Sequence, residues 1–317
     1  MSIYLVDLEA VETRYTGEWK THLPALLRKA GHNVNVISGP TDIPSATTPG
    51  AFLNFGGTNI YKASPTHGLW HAGSYDPQDF LGRLVGDKPW VRNAEKSFYH
   101  AFDHNYFATD FHIHMFYKNL IQADPDRRQT MYKTVIEDTV FNNKVVRTGW
   151  PMEYMEDTLS MYKGMEKRDL ILFPHRIAPE KQVEIFRDLK EHLPQYEFVI
   201  CQEQQLTKRE YHNLLGEAKL VFSANLQETL GISWYEGAIV DAIPMVPDRL
   251  SYSEMAMDVF KYPSEWTESW NSYNKYRPDV CREIVTHMEN YKSRLPSLNK
   301  QVDVLRENFF SCSRLLD

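Results

Sequence analysis

The feature that most limits the folds open to this chain is the alternation in its second half. Short, wholly apolar runs take turns with stretches that are apolar along one helical face. Leu170-Ile171-Leu172-Phe173 is such a run. The residues after it place Ile185, Phe186, Leu189 and Leu193 at helical spacing. Phe198-Val199-Ile200 follows, then a helix over Tyr211–Ala218, the run Leu220-Val221-Phe222, a helix over roughly 231–241, and Met245-Val246. A strand apolar on both faces belongs inside a sheet covered by helices, and strands that alternate with helices pair in parallel. The second half therefore reads as an open α/β sheet with helices on both faces.

The first half repeats the scheme less regularly. Tyr4-Leu5-Val6 reads as a buried strand. After Arg14-Tyr15-Thr16-Gly17 comes a helix whose Trp19, Leu23, Leu26, Leu27 and Ala30 share a face. Gly31 ends it, and Val34–Ile37 forms the next strand, closed by Gly39-Pro40. Further strands are expected at Ala51–Phe55, Leu69–His71, Tyr106–Ala108 and Lys144–Arg147. Helices are expected near 77–86, 90–103, 110–121 and 126–138. Gly149-Trp150-Pro151 closes this half, and the tail over about 278–317 reads as helical. The 317 residues suit two domains of about 150 residues each.

Composition narrows the function classes. No apolar stretch is long enough to span a membrane. The chain runs from Met1 into a strand without the basic start or cleavage site of a secretory leader. Three cysteines without a CxxC spacing fit a reducing compartment, so a cytoplasmic protein is expected. Residues 1–150 carry 15 Lys/Arg and 15 Asp/Glu, so the net charge of −7 belongs wholly to the second half. Bulk charge does not advertise a nucleic-acid partner, although a local basic face stays open.

Two segments carry chemistry. The first is Arg176-Ile177-Ala178-Pro179-Glu180-Lys181, directly after the strand that ends at Phe173-Pro174. A guanidinium fork and an ammonium on one strand-to-helix loop suit a diphosphate, whose negative charge grows as it departs. A solvated helix start, with Pro179 and Glu180 in its first turn, is the rival reading. The second is Glu228-Thr229-Leu230-Gly231-Ile232-Ser233-Trp234-Tyr235-Glu236. Backbone N–H groups over Thr229–Ile232, at a helix start, make an anion site. Glu228 lies in the loop, near a sugar, and Glu236 further along the helix, where a carboxylate can accept from a ribose diol.

In this order the elements resemble the donor-binding domain of retaining glycosyltransferases with the GT-B fold. The resemblance covers Asp169 to Met255. It includes the Arg-x-x-Pro-Glu-Lys loop, the two glutamates with seven residues between them, Gly237-Ala238 and the strand entry Ile243-Pro244-Met245-Val246. It implies two Rossmann-like domains facing a central cleft. Residues 1–150 would bind the acceptor and 151–295 the donor, and a helix in 296–317 would pack back on the first domain. It implies that Arg176 and Lys181 bind the donor diphosphate, with backbone at Thr229, Leu230, Gly231 and Ile232 completing that site. Glu228 would touch the transferred sugar and Glu236 the ribose. In the first half, Gly17 matches a glycine-rich turn of the family, but the usual second glycine is Glu18 here. His71 stands where many members carry a histidine facing the reacting sugar; a hydrogen-bonded core histidine is the rival reading. The block Trp70–Arg83, with Asp76 and Asp79, is similar to glycosyltransferase-like proteins of tailed bacteriophages. That similarity implies hydroxymethylated pyrimidine in phage DNA as acceptor, and the host cytoplasm as location.

Other patterns do not support a competing chemistry. His112 and His114 are two apart and point to different helix faces, and His100 and His104 find no third ligand. There is no GxGxxG, Walker loop or Gly-x-Ser-x-Gly elbow. The expectation is metal-independent, retaining transfer without a cofactor, from a nucleotide-diphosphate sugar, UDP-sugar favoured. The aromatics of the first half (Tyr15, Trp19, Trp70, Tyr75, Trp90, Tyr99, Tyr106) belong to core or cleft wall, or stack on a sugar or an extruded base. A glycan, lipid or small-molecule acceptor is the alternative. So are an epimerase or hydrolase, or a nucleotide-sugar binding module, on the same fold.

Overall fold

The computed structural model describes residues 2–6, 14–38, 51–55, 66–121 and 144–316. The expected helix over 126–138 lies outside these. The described chain divides into two units, residues 1–153 with 308–317 and residues 154–307.

The first unit holds six parallel strands: β1 (Ser2–Val6), β2 (Asn33–Ile37), β3 (Ala51–Phe55), β4 (Thr66–Leu69), β5 (His104–Phe107) and β6 (Val145–Arg147), in the order β2-β1-β3-β4-β5-β6. Helix α1 (Arg14–Lys29) crosses from β1 to β2 and buries Leu23 and Leu27. It ends at Gly31, whose φ of 91° is the left-handed turn glycine takes without cost. Gly17 lies in the first turn of α1, not on the loop before it. The helix starts at Arg14, and one internal glycine costs only about 1 kcal/mol against that continuity.

Strand β4 is also displaced from its expected place over Leu69–His71. The paired backbone is Thr66–Leu69, and Trp70 and His71 follow it. The apolar signal came from Trp70, which packs past the strand end, parallel to Phe107 with ring centroids 6.0 Å apart. Gly68 lets the strand press on Phe102, since a Cβ there would come within 2.3 Å of that ring. Helices α2 (Phe80–Val85), α3 (Pro89–Ala101) and α4 (Asp110–Phe116) follow, the last running on into a π-helical turn over Tyr117–Ile121. Trp70, Tyr75, Tyr99, Phe107, Phe116 and Tyr117 form the core between them. Tyr106 is also buried, whereas Trp90 is 70% exposed.

The return of the chain to the first unit, expected of a helix within 296–317, is made by the residues after the last helix. Phe309 accepts from Trp150 N–H at 2.7 Å, and Cys312 N–H donates to Glu153 at 2.5 Å. Gly149 (φ 81°) permits the approach, because a Cβ there would meet the Ser311 carbonyl at 2.9 Å.

The second unit has five parallel strands: β7 (Arg168–Phe173), β8 (Glu197–Ile200), β9 (Ala218–Phe222), β10 (Ile243–Pro247) and β11 (Lys261–Tyr262), in the order β11-β10-β9-β7-β8. Its helices are α5 (Tyr154–Leu159), α6 (Val183–His192), α7 (Lys208–Glu217), α8 (Ile232–Ile239), α9 (Tyr252–Met255), α10 (Trp270–Glu289) and α11 (Tyr291–Asn308). Both sheets start with the second strand beside the first and continue from the first to the third. The connection reverses direction at that point, and the carboxyl ends of those two strands leave an open crevice there. In the second unit the crevice lies after β7 and β9, the strands that carry both sequence motifs. Among the described residues no helix is long and apolar enough to cross a membrane.

Helix α6, which follows the loop after β7, buries Val183, Ile185, Phe186 and Leu189 in the core. Full burial of each such side chain is worth about 1.5–3 kcal/mol. Leu189→Ala is expected to destabilise the second unit by about 2–5 kcal/mol. A lower urea midpoint in the melting of that unit checks it.

Candidate nucleotide-sugar site on the second unit

The loop after β7 is short and tightly wound. Pro174 to Ala178 lead into a 3-10 turn over Pro179–Lys181, and Gln182 then takes φ 51° before α6 begins. A left-handed backbone at a residue with a Cβ costs about 1–2 kcal/mol. Two hydrogen bonds from the buried Gln182 amide offset that cost, to the carbonyls of Ala224 at 2.6 Å and Thr267 at 2.7 Å. The first of these already reaches the loop after β9. A second link is backbone to backbone, from Leu226 N–H to the Glu180 carbonyl at 2.7 Å.

Lys181 is the third link. Its side chain is buried, and Nζ donates to the Gln227 carbonyl at 2.5 Å and lies 3.4 Å from Glu228 Oε2. Glu228 also accepts from Asn225 Nδ2 at 3.3 Å and from the N–H groups of Thr229 and Leu230 at 3.2 and 3.5 Å. Burial pushes the Glu228 carboxyl up. The Lys181 cation, then the His175 ring and the Leu230 N–H, outweigh that and hold it below its ordinary value. The structure therefore brings Lys181 and Glu228 together. It also revises the anion site expected over Thr229–Ile232, because the Thr229 and Leu230 N–H groups point at Glu228 itself. What remains for an external anion is the first turn of α8, whose N–H groups have no intrahelical partner.

Gly231 makes that turn possible. Its φ is 84°, and a Cβ would sit 2.4 Å from Trp234 Nε1. Ser233 alone among residues 231–240 is not buried, so the helix opens outward only at its start. Glu236 lies one turn further in, 3% exposed, and accepts from the Tyr211 hydroxyl at 2.8 Å. Arg176 is set differently from Lys181. Its guanidinium is 45% exposed and is paired with the buried Glu180 four residues on.

Several residues of this site escaped the sequence reading. Asn225, at the end of the polar run Ser223-Ala224-Asn225 after β9, bridges Glu228 and the Tyr252 hydroxyl. Arg249 clamps the same loop, donating to the carbonyls of Ala224 and Asn225 at 2.7 Å each. His175, directly before Arg176, is buried with its ring edge-on to Phe173. Asn225 Oδ1 and His175 Nε2 have no hydrogen-bond partner in the structure. The His175 ring also donates to the Phe222 carbonyl, which ties it to the end of β9.

On the first unit, His71 is half-buried just past β4, its ring centroid 4.8 Å from that of Trp150. Its neighbour His112 is buried against the Tyr75 hydroxyl at 2.6 Å, and burial, then His71, lower its pKa to about 3. Asp76 and Asp79 serve the turn before α2, accepting from Gln78 and Leu81 N–H groups. His104 stacks on His67 and His114 bonds the Asp110 carbonyl. Among the described residues no three metal-ligating side chains converge. The sequence does contain one Asp-x-Asp, Asp124-Pro125-Asp126, the metal-binding pattern of the other major glycosyltransferase fold. It lies outside the described residues.

The Lys181–Glu228 pair yields a prediction with a definite pH dependence. Lys181→Met leaves a buried carboxylate without its cation, a loss of about 3–5 kcal/mol at neutral pH. Glu228 in the intact protein titrates below its unfolded value, so its contribution is present above that value and is lost as pH falls through the folded one. In the variant, burial acts on Glu228 without the opposing Lys181 cation, so its pKa rises. The stability gap between the two proteins should therefore narrow as pH falls and the carboxyl protonates. Denaturant unfolding across the acid range measures it, and adding Glu228→Gln to Lys181→Met should restore most of the neutral-pH loss.

No family model matches the chain, and no curated protein matches it. Solved structures do. The catalytic domain of Starch Synthase IV from Arabidopsis thaliana, bound to ADP and acarbose, is similar at TM-score 0.56 and 9% identity, over 97% of this chain and 99% of that one. WaaG, a glycosyltransferase involved in lipopolysaccharide biosynthesis, is similar at TM-score 0.52 and 12% identity, over 96% and 100%. TarM is similar at TM-score 0.50 and 13% identity, over 82% of this chain and 52% of that one, so the chain spans about half the length of TarM. Identities this low speak for the fold alone. The chain has the α/β fold of two Rossmann-like, parallel-sheet units, GT-B in class, that the sequence resemblance implies.

Proposed function

We propose that the chain is a retaining glycosyltransferase that takes a sugar from a nucleoside-diphosphate donor. The observation that carries this reading is the convergence of Lys181, Glu228 and the start of α8 at the switch point of the second sheet. In the proposed complex the diphosphate lies against the α8 start, with Lys181 and Arg176 as its cations. Glu228 meets the sugar and Glu236, oriented by Tyr211, the ribose. The bond from the anomeric carbon to the phosphate oxygen breaks as charge builds on the leaving diphosphate, which the cations stabilise. The acceptor oxygen bonds to the same face of that carbon, and its proton passes to the departing phosphate. No side-chain base is required, and His71 is assigned to polarise the acceptor hydroxyl. Neither a metal nor a cofactor enters this scheme. UDP-sugar is the favoured donor.

The proposed acceptor is hydroxymethylated pyrimidine in phage DNA, on the resemblance of the block around His71, which would place the protein in the host cytoplasm. A glycan or lipid acceptor is the second reading. It is favoured by the fold shared with a starch synthase and with an enzyme of lipopolysaccharide biosynthesis.

One assay separates them. Hydroxymethylcytosine and hydroxymethyluracil DNA are incubated with UDP-, GDP- and ADP-sugars, digested, and the nucleosides weighed by mass spectrometry. The expected result is a pentose or hexose increment whose rate falls steeply with added salt, as phosphate contacts require. Transfer only to glycans or lipids would replace the acceptor and keep the donor site. Arg176→Lys is the cleaner donor-site variant, because it removes the guanidinium fork but keeps a cation beside the buried Glu180, whereas Lys181 also holds the fold. Its turnover should fall roughly hundredfold with little change in melting temperature. Near-normal turnover would overturn the diphosphate assignment.

A further inference from the structure

Glu228 is held in two ways. One is the Lys181 ammonium, 3.4 Å from Oε2. The other is a set of neutral donors: Asn225 Nδ2, 3.3 Å from the same Oε2, and the Thr229 and Leu230 N–H groups at Oε1. The two N–H groups are backbone and move only with their loop. Asn225 reaches Glu228 through a side chain, and that amide is anchored by a closed ring of hydrogen bonds. Its Nδ2 also donates to the Tyr252 hydroxyl at 2.9 Å. The Tyr252 oxygen, already accepting, gives its own proton to Ser223 Oγ at 3.0 Å. Ser223 Oγ accepts in turn from the Asn225 N–H at 3.3 Å. All three residues are fully buried. The carboxylate also fixes which way the amide points, because the opposite setting would place Oδ1 against Oε2, acceptor against acceptor.

We propose that Asn225 is the positioning residue of Glu228, keeping the carboxylate ionised and aimed at the sugar when the donor diphosphate draws Lys181 away. The inference rests on the donor-site reading above, in which a phosphate and Glu228 compete for one cation. A buried carboxylate that loses its cation turns away or takes up a proton unless hydrogen bonds compensate it. Asn225 donates to the very oxygen that Lys181 would leave. A phosphate competes poorly for this donor. The amide carries no charge and is fully buried, whereas the Glu228 side chain is 17% exposed. The ring through Tyr252 and Ser223 keeps the amide in place before and after the lysine turns. A charge-assisted hydrogen bond to Oε2 then strengthens as the competing cation departs.

The test uses calorimetric titration of the full chain with UDP, GDP and ADP. The wild-type protein is expected to bind at least one of them. Asn225→Ala should weaken that diphosphate about tenfold, the loss of a hydrogen bond to a charged group. In a Glu228→Gln background the same substitution should change the affinity by no more than about twofold, because a neutral amide needs no such compensation. Tyr252→Phe removes the anchor of Asn225 and should give a smaller loss with the same dependence on Glu228. In the wild-type protein, the Asn225 side-chain amide proton should move downfield when the diphosphate binds, as its bond to Oε2 tightens. This magnetic-resonance readout does not depend on any variant folding. Equal losses in the two backgrounds, or an Asn225 signal that ignores a bound diphosphate, would overturn the role of Asn225 while leaving the donor site in place. Failure of the wild-type chain to bind any of the three diphosphates would overturn both.

Discussion

The candidate site depends on the attachment of the loop after β7 to the loop after β9. The buried Lys181 amine makes the central contact, donating to Gln227 while it compensates Glu228. Without this attachment the two strands would still pair, but their carboxyl ends would present two independent loops. A lysine buried this deeply is tolerated only because its charge is matched. That matching links stability to recognition. In the proposed complex a phosphate would compete with Glu228 for the same cation.

The surroundings of the pair are built to keep these loops from relaxing. Gln182 accepts an unfavourable backbone angle and recovers its cost through two buried hydrogen bonds. Arg249 is fixed by the carbonyls of Ala224, Asn225, Ser264 and Thr267. Its guanidinium is thus spent on backbone and is not a ligand for phosphate. Tyr252 joins Ser223 and Asn225 through its hydroxyl, and burial, then Glu228, raise its pKa far above the physiological range. The polar atoms around Glu228 are therefore mostly committed to one another.

The second sheet was legible in the sequence because each central strand is a continuous apolar run. Leu170–Phe173 and Leu220–Phe222 were placed from composition alone, and the strands extend them only at their starts. The edge strand β11, two residues with a lysine, carries no such signal and was missed. In the first sheet the signal misled. Thr66-His67-Gly68-Leu69 is polar by type yet buried, its strand allowed by a glycine pressed on Phe102, while apolar Trp70 beside it is not in the strand. Periodicity reports where side chains go, and here the ring packs beyond the backbone pairing. The site followed the same division. Arg176, Lys181, Glu228 and Glu236 were proposed from their spacing, and the structure brings Lys181 and Glu228 together. Asn225, Arg249 and His175 were not, because their contacts with other loops span 24 to 58 residues of sequence.

Charge shows most clearly why whole-chain quantities mislead at such a site. The second half carries the entire excess of seven acidic residues, which alone would argue against an anionic ligand. Many of those carboxylates lie on exposed faces, as Glu197, Glu203 and Asp258 do, where water screens them and surface pairs are worth little. Lys181 sits where the effective dielectric is low, so its single charge acts on a neighbour far more strongly than several exposed ones. Glu228, the acidic group nearest to it, is already neutralised by contact with that same lysine. In the proposed donor complex a diphosphate would meet a pair of near-zero net charge, the N–H groups at the start of α8, and the half-exposed Arg176. Attraction at the site is decided over a few ångströms, by which charges are buried and which are paired, and the sum over the chain has almost no part in it.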